Sequence, residues 1–406
     1  DIGFARVRIV PLAEDIQHVV SRAHHPRFEH GAESGQFVLV GGRVDQVFQA
    51  IGIFPDVIQF LDDAMLVQVV AGRDGHGRGS FCARLQHVGP LMEATLATII
   101  AAAAPLLFVT AGENISEKSG VINLSLEGSL MLSALAGFAI AFETGNTWLG
   151  FLAAALVGGT FAFVVAFSSI TLWLNQVAVG FVLASLGIAL SSFLGSGYTG
   201  KPGGPIAVPS MDIPVLSDIP FLGPALFSHN IVVYAGLLLV LAVWLYMYQT
   251  RPGLVLQGVG ERPDAAHARG VPVNRLRYLY TVLGGVLVGI GGAAFTLDAK
   301  LGWSFLHTRN FGWIALAIVI FGGWHPLRVA AGVLLFGFLQ WLALDLQDVF
   351  PDLTQVLPIM PFALMIFALV LVNATALREW ADRHPRWGHI VLGDAPSAIG
   401  RHFRPE

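Results

Sequence analysis

The chain has 406 residues, of which 55% are hydrophobic and only 12% are charged, and its mean hydropathy is +0.68. Soluble domains average roughly 45–50% apolar and about 25% charged residues, so this composition excludes an ordinary soluble protein and indicates an integral membrane protein. The net charge of −4 decides little, because only charges near a span affect its orientation, and the single cysteine, Cys82, excludes an intrachain disulfide or a cysteine-based metal site.

Residues 1–91 differ in kind from the rest of the chain. They contain no long apolar span, no lysine and six of the thirteen histidines. Since the sequence from Met92 is typical of the start of a first span, we interpret 1–91 as an upstream extension or a translated non-coding stretch. The alternative is a small soluble domain, with strands and a helix within 35–54. His24, His25 and His30 are too loosely spaced to predict a metal site.

Apolar stretches that can cross about 30 Å of hydrocarbon recur between Met92 and Asn373. We place them at 92–111, 121–142, 148–170, 177–195, 231–248, 277–297, 311–323, 327–344 and 355–373. The shorter ones, and those with glycine or proline, predict broken or re-entrant helices buried in protein. The expected fold is therefore all-α, a polytopic transmembrane bundle of about eight to ten spans formed by residues 92–376.

The densest polar cluster within apolar sequence covers residues 111–138. Glu113, Glu117 and Lys118 are expected in a turn between spans, whereas Asn123 and Glu127 fall in the next apolar stretch. A carboxylate near the bilayer centre costs about 2.5–3.5 kcal/mol on insertion scales, so Glu127 must face a cavity, a partner or a helix N-terminus. On a helix, Asn123 and Glu127 share one face. Glu113, Asn123 and Glu127 are thus candidates for a substrate pathway; the alternative is a structural hydrogen-bond network.

Asn175 and Gln176 form a second polar pair at the edge of a span. Neutral amides suit hydroxyl-rich or purine ligands, because each offers donors and an acceptor without a buried charge; the alternative is an interfacial loop. Aromatic residues near the outer face fit an interfacial belt better than ligand stacking. They are Trp303, Phe305, Phe311 and Trp313.

The loop after the fourth predicted span has the glycine and lysine spacing of a phosphate-binding loop but lacks its other features. Gly195, Gly200 and Lys201 have the appropriate spacing, but Pro202 occupies the position of the magnesium-binding Ser or Thr, and no strand precedes the loop. We therefore expect this chain to bind no ATP and no other cofactor.

Residues 250–277 form a polar loop with five arginines between two apolar spans. That density of arginine predicts a cytoplasmic loop. Asp264, Ala265 and Ala266, followed by Gly270, predict a short helix that ends in a left-handed glycine. The alternative is an ordinary solvated basic loop. In the next span, Gly285, Gly289 and Ala293 form a ladder of small residues, which favours close helix packing within the subunit or across a dimer.

The tail from residue 377 to the end is basic and carries Trp380 and Trp387. We expect it at the inner membrane surface, held by attraction of its arginines to anionic lipid and by tryptophan at the interface. A role in nucleic-acid binding is excluded as an interpretation, because these basic residues continue a membrane span.

Several motifs, in order, resemble one known family. The stretch GENISEKSGVINLSLEG at 112–128, LNQVAVGFVL at 174–183, IPFLGPALFSHNIVVY at 219–234 and FGWIALAIVIFGGWHPL at 311–327 closely resemble bacterial simple-sugar and nucleoside ABC permeases. The 250–277 loop is similar to the coupling segment of such permeases, although Asp264 stands where Glu is usual. The positions assigned to it are Gly260, Glu261, Asp264, Ala265, Ala266 and Gly270.

The resemblance implies a permease subunit without catalysis of its own, in the bacterial cytoplasmic membrane. It implies three protein partners: an ATPase with two nucleotide-binding domains, a second homologous permease, and a substrate-binding lipoprotein of the basic-membrane-protein type. The alternatives are a ribose-type sugar or branched-chain amino acid permease of the same kind, or an ATP-independent channel or secondary transporter, which the coupling loop disfavours.

Overall fold

The computed structural model describes residues 80–212, 223, 226–305, 307–372, 374, 379, 383–384 and 393–404. The chain divides into two compact units, Asp1–Arg84 and Leu85–Glu406, and nearly all described residues belong to the second. The segment interpreted as an extension or a soluble domain, with its three histidines, therefore lies outside the described residues up to position 79.

Apolar helices build almost the whole described chain. They are α1 (Ser80–Lys118), α2 (Leu126–Thr144), α3 (Thr147–Ala166), α4 (Gln176–Gly195), α5 (Ile231–Gln249), α6 (Arg251–Glu261), α7 (Pro263–Ala268), α8 (Val273–Ala294), α9 (Phe311–Phe321), α10 (Pro326–Val349) and α11 (Met360–Val372). Short π-helical segments, Phe167–Thr171 and Phe295–Ala299, continue α3 and α8. Two short strands, β1 (Ser210–Asp212) and β2 (Ser228–Asn230), pair antiparallel in the loop before α5.

Seven described helices are long and apolar enough to cross a membrane, and two shorter apolar segments, Phe311–Phe321 and Leu357–Leu371, accompany them. This confirms the predicted polytopic helical bundle. At 11 residues, α9 is about 16 Å long, roughly half of the hydrocarbon thickness. It therefore covers only part of the membrane, as expected of a broken helix.

The bundle has two ends, which we name from the predicted orientation of the arginine-rich loop. The inner end holds α6 and α7 together with the C-terminus of α1, since a Cβ on Gly260 would lie 2.1 Å from the carbonyl oxygen of Lys118. At the outer end the Val208 amide donates to the Leu297 carbonyl at 3.1 Å. The Asn230 side chain also donates to the Asp298 carboxylate there.

Helix α8 lies at the centre and packs closely on three neighbours through glycine. A Cβ on Gly284 would lie 2.5 Å from the Gly112 carbonyl oxygen of α1, and one on Gly292 would lie 2.9 Å from the Ala134 amide nitrogen of α2. The third neighbour is α3. No side chain separates these backbones, so the glycines set the spacing of the bundle.

Two local expectations were wrong. Glu113, Glu117 and Lys118 lie in the last two turns of α1 rather than in a turn between spans. Asn123 is not on a helix with Glu127, because α2 begins only at Leu126. Residues 119–125 form a loop between α1 and α2, and its buried side chains shape the site described next.

Candidate transport site and coupling segment

Glu113 is one of two buried carboxyl residues among the predicted pathway positions, the other being Glu127. It lies in α1 with 1% of its surface exposed, and neither carboxylate oxygen has a hydrogen-bond partner among the described residues. The Asn123 backbone amide and the Glu117 carboxyl face it without reaching hydrogen-bond geometry. Burying a carboxyl without well-formed hydrogen bonds is costly, so Glu113, with only the Asn123 amide and the Glu117 carboxyl beside it, keeps unused capacity to bind a polar group.

One turn further along α1, the carboxylate of Glu117 has a partner that sequence inspection missed. The indole Nε1 of Trp324 donates to Glu117 Oε2 at 2.5 Å, and both residues are buried. Trp324 has a φ of 54°, a left-handed conformation that is rare for a bulky residue. This bond ties α1 to the turn between α9 and α10, over 200 residues away in sequence. Its only sequence signal is the tryptophan within the motif FGGWHPL.

The loop 119–125 is held by amide side chains. Asn123 Oδ1 accepts hydrogen bonds from the Ser125 amide at 3.2 Å and the Ser125 hydroxyl at 2.6 Å. Gln176 Oε1 accepts from the Ile122 amide at 2.9 Å, whereas its buried Nε2 has no partner in the described part of the chain. The structure therefore brings Glu113, Asn123 and Gln176 together around one loop.

Glu127 caps the short helix α9. Its Oε1 accepts from the Asn310 amide at 2.5 Å and its Oε2 accepts from the Gly312 amide at 2.9 Å. The first amides of a helix lack intrahelical partners and carry partial positive charge, so a carboxylate there is stabilised. A Cβ on Gly312 would lie 2.5 Å from Glu127 Cα, and only glycine allows this approach. Of the three environments expected for Glu127, the helix N-terminus is the one observed.

Asn175 lies apart from this cluster. It is exposed, and its side-chain oxygen accepts from the Ala178 amide at 3.1 Å, which makes it the N-cap of α4. The outer aromatic residues also differ from one another. Trp303 is only 3% exposed and packs in the core, while Trp313 lies at the side of Phe181 with ring centroids 5.6 Å apart. Neither contact leaves the ring as a free stacking platform.

A cavity of about 540 Å³ lies beside the N-terminus of α9. Its walls combine cationic side chains from the loop before α9 with apolar residues of α10 and the segment before α11. They include Lys300, His307, Arg309, Phe311, Leu344 and Phe362. The sequence analysis did not find this cavity, because its walls come from three separate segments.

The 250–277 loop folds into two helices, α6 and α7, with the predicted ending. The Gly270 amide donates to the His267 carbonyl at 2.7 Å, and the Val271 amide donates to the Ala266 carbonyl at 3.1 Å. With Gly270 at a φ of +83°, this is a Schellman motif. Ala266 and Val271 pack together beneath it. The short helix with a left-handed glycine stop is thereby confirmed, in place of an irregular basic loop.

Most of α7 faces outward from the protein. Asp264 and Ala265 are exposed, Ala266 is half-buried, and Pro263 is buried. A shallow groove of about 470 Å³ runs between α6 and α7, with Leu254, Val255 and Val271 among its apolar residues and charged residues at its edge. Gly260 and Glu261 end α6 at the junction with α7. Of the assigned coupling residues, Glu261, Asp264, Ala265 and Gly270 are exposed, whereas Ala266 is half-buried and Gly260 is buried against α1.

The glycine ladder packs within the subunit, against α3. A Cβ on Gly285 would lie 2.5 Å from the Gly158 carbonyl oxygen, and one on Gly289 would lie 2.1 Å from the Ala154 carbonyl oxygen. Ala293 packs against Gly137 of α2. The ladder therefore lies between the coupling segment, which precedes α8, and the outer half of the bundle.

Arg277 is the residue whose environment is least expected from the sequence. It was one of five arginines in a polar loop, yet it is 2% exposed. Nη1 donates to the Arg401 carbonyl at 2.8 Å, while Nε and Nη2 lack a partner among the described residues. A long-range hydrogen bond to the chain's last residues cannot be read from local composition.

Comparison with known proteins gives one family. A family model described as "Branched-chain amino acid transport system / permease component" matches residues 95–369. The chain is 39% identical over 253 residues to the putative glucose ABC transporter permease protein TsgC13 of Haloferax volcanii, covering 61% of this chain and 76% of the relative. It is 31% identical over 316 residues to the guanosine ABC transporter permease protein NupQ of Bacillus subtilis, covering 73% and 92% respectively. The nucleoside ABC transporter permease protein NupC of Lactococcus lactis is 28% identical over 306 residues, covering 72% and 96%.

Proposed function

Because the chain belongs to the family of branched-chain amino acid transport system permease components, we propose that it is the permease through which an ATP-driven importer takes up nucleosides or simple sugars. It is a multi-pass membrane protein, and its relatives are transport subunits rather than enzymes. The observation that carries the proposal is α7: a short, exposed, glycine-terminated helix between two spans. A channel or a secondary transporter has no need of such a docking helix.

The coupling surface on α6 and α7 receives the ATPase, whose two nucleotide-binding domains bind and hydrolyse ATP; this chain binds none. Exposure of Asp264 and Ala265 supports docking at α7, and the groove beside it offers apolar contact area. Arginines at the groove edge, Arg262 and Arg269, suit an acidic partner surface.

Movement of α6 has a short physical route to the buried cluster. Gly260 at the end of α6 touches the Lys118 carbonyl. Lys118 follows Glu117 and, one turn earlier, Glu113 on α1. A displacement of the docked segment therefore bears on the helix that carries the unpaired carboxyl, in addition to the route along the glycine ladder of α8.

The ligand is an uncharged, polar molecule. Gln176 and Asn123 are buried amides, and Gln176 Nε2 and the Glu113 oxygens lack partners in the described chain. Donors and acceptors of this kind match ribose hydroxyls or a purine edge. Nucleosides are preferred over sugars because two relatives that this chain matches over more than nine-tenths of their length are named for guanosine or nucleoside transport. Ribose-type sugars, glucose and branched-chain amino acids are the competing ligands.

In the complete importer this chain pairs with a second, homologous permease in the bacterial cytoplasmic membrane. A lipid-anchored binding protein delivers the ligand at the outer end. Closure of the ATPase at the inner end then switches access to the cluster around the 119–125 loop.

The test is uptake into vesicles that contain this chain with the second permease, ATPase and binding protein encoded beside it. Labelled guanosine, ribose and glucose are offered separately, with and without ATP. ATP-dependent guanosine uptake that unlabelled sugars do not compete away supports nucleoside import. Sugar uptake would keep the machinery and change the ligand, whereas equal uptake without ATP would overturn the coupling role of α7.

A further inference from the structure

The last described segment of the chain packs against the protein's own inner end. We call residues 393–404 the inner strap. Pro396, Ala398 and Phe403 within it are buried, the last two at 4% and 6% exposure. Arg378, Arg386 and both tail tryptophans lie outside the described residues.

The strap is attached first to the end of α6. The Ala398 amide donates to the Gly260 carbonyl at 2.9 Å. Glu261 Oε2 accepts from the Ser397 amide at 3.1 Å and from the Ser397 hydroxyl at 2.7 Å. Gly260 and Glu261 are coupling-segment residues, so the strap binds the segment at the junction of α6 and α7, which is proposed to move with the ATPase.

Its second attachment is to the loop 119–125 and the start of α8. The Gly400 amide donates to the Gly120 carbonyl at 3.0 Å, and both glycines have positive φ, +72° and +92°. The buried Arg277 of α8 donates to the Arg401 carbonyl at 2.8 Å. The strap is thus joined to the loop that carries Asn123.

The end of the strap forms a third attachment. Phe403 packs with Val259 of α6 and Val273 of α8, and its ring lies 5.4 Å from the His267 ring of α7. His402 Nδ1 lies 3.2 Å from the Ser169 carbonyl at the inner end of α3. The Arg404 guanidinium lies over the Trp173 ring, 4.7 Å from its centroid, in a cation–π contact.

We propose that the inner strap is a positioning element of transport, which joins the coupling segment to the 119–125 loop and to the inner end of α3 so that they move as one body. Ser397 and Phe403 are its positioning residues. The contact between Gly260 and Lys118 alone is a pivot, about which α6 can tilt. Attachments on two further sides prevent α6 from tilting. A displacement of α7 by the ATPase is therefore transmitted to the 119–125 loop. The inference rests on the proposed docking of an ATPase at α7.

A lipid anchor is a poorer description of the strap. Its backbone amides at residues 397, 398 and 400 bond to protein groups, and its one aromatic side chain, Phe403, is buried between α6 and α8. Groups committed in this way are not available to a membrane surface.

The first test compares strap variants in proteoliposomes that contain the full chain with its second permease, ATPase and binding protein. Ser397→Ala and Phe403→Ala are measured for ATPase co-purification, ATP hydrolysis stimulated by the binding protein, and substrate taken up per ATP. Arg383→Ala is the matched control, because it lies in the same tail and its only described ion pair, with Glu379, is exposed.

We expect Phe403→Ala to retain the ATPase and ATP hydrolysis but to lower substrate uptake per ATP at least fivefold. Ser397→Ala should lower uptake per ATP about twofold. Phe403→Leu should keep most of the parent's uptake per ATP. Uptake per ATP that is unchanged in Phe403→Ala would overturn the proposal. Loss that Phe403→Leu fails to relieve would also overturn the packing argument.

A second measurement does not depend on the folding of a truncated side chain. In a Cys82→Ser background, Trp173→Cys and Arg404→Cys place two thiols at the attachment beside α3, where the two native side chains are in contact, and a short reducible cross-linker joins them. Since the strap stays attached through the cycle, cross-linked and reduced protein should transport equally well. Transport that stops on cross-linking and returns on reduction would show that the strap must detach, and would refute it as a fixed link.

Failure of the strap and failure of the docking site can be told apart. If Asp264→Arg leaves ATPase co-purification intact, the docking site is wrong whatever the strap variants do. If Asp264→Arg abolishes co-purification while every strap variant keeps normal uptake per ATP, only the strap proposal falls.

Discussion

Replacing Glu127 with Ala should destabilise the bundle by about 1–3 kcal/mol, because it leaves the start of α9 uncapped. The carboxylate accepts hydrogen bonds from two backbone amides, that of Gly312, which is buried, and that of Asn310, which is exposed. A buried donor left unsatisfied costs about 1–3 kcal/mol, and this cost applies to the Gly312 amide, because water can replace the carboxylate at the exposed Asn310. Glu127→Gln keeps one acceptor oxygen and turns an amide toward the other donor. We therefore expect it to lose about half as much.

The assay is reversible unfolding of the detergent-solubilised chain, followed by circular dichroism across a denaturant series. Ser129→Ala is the matched control: it lies in the same first turns of α2, is equally buried, and its hydroxyl has no described partner. Its stability should stay within about 0.5 kcal/mol of the parent. The reasoning is refuted if Glu127→Ala is as stable as Ser129→Ala, or if Glu127→Gln is less stable than Glu127→Ala.

Three further outcomes follow from the same structure. Gly289→Leu should abolish the monodisperse folded protein in size-exclusion chromatography, because its Cβ would lie 2.1 Å from the Ala154 carbonyl oxygen. The control, Gly197→Ala, has open space around the new Cβ and should elute as the parent does. Asp264→Arg should lower ATPase co-purification more than tenfold; unchanged co-purification would exclude α7 as the docking helix. Burial, aided by Arg328 and Lys118, lowers the pKa of His325 below its ordinary 6.5. The unfolded chain therefore binds more protons than the folded one, and the free energy of unfolding should fall as pH drops below about 6.5. His325→Gln should make that fall less steep, and an equally steep fall in the variant would assign the pH dependence to other groups.

The helices could be predicted from the sequence because their signal is local. An apolar run of about twenty residues identifies a span wherever it occurs, and α4 and α5 begin within a residue of the expected positions. The stop of α7 was equally local, since Gly270 needs only its own left-handed φ to end the helix. Element boundaries of this kind depend on neighbours in sequence.

The site residues depend on neighbours in space, and here local reasoning fell short. Glu117 was expected in a turn between apolar spans, yet it lies in α1 and its partner is Trp324. Arg277 looked solvated because it adjoined a polar loop, and it is buried against Arg401. Both polar groups are stabilised by contacts more than 120 residues away, which residue spacing along one segment does not encode.

The glycine-to-glycine contact between α3 and α8 divides the bundle mechanically. With Gly158 and Gly289 in backbone contact, no side chain separates the two helices at this point, and the close fit leaves little room for one helix to move along the other. These two helices are therefore a stiff spine rather than a sliding joint. Each ends in a π-helical segment, Phe167–Thr171 at the inner end and Phe295–Ala299 at the outer, where the hydrogen-bond ladder is irregular and bending is easiest. Opening and closing would then happen around the spine, with its two ends as the hinges.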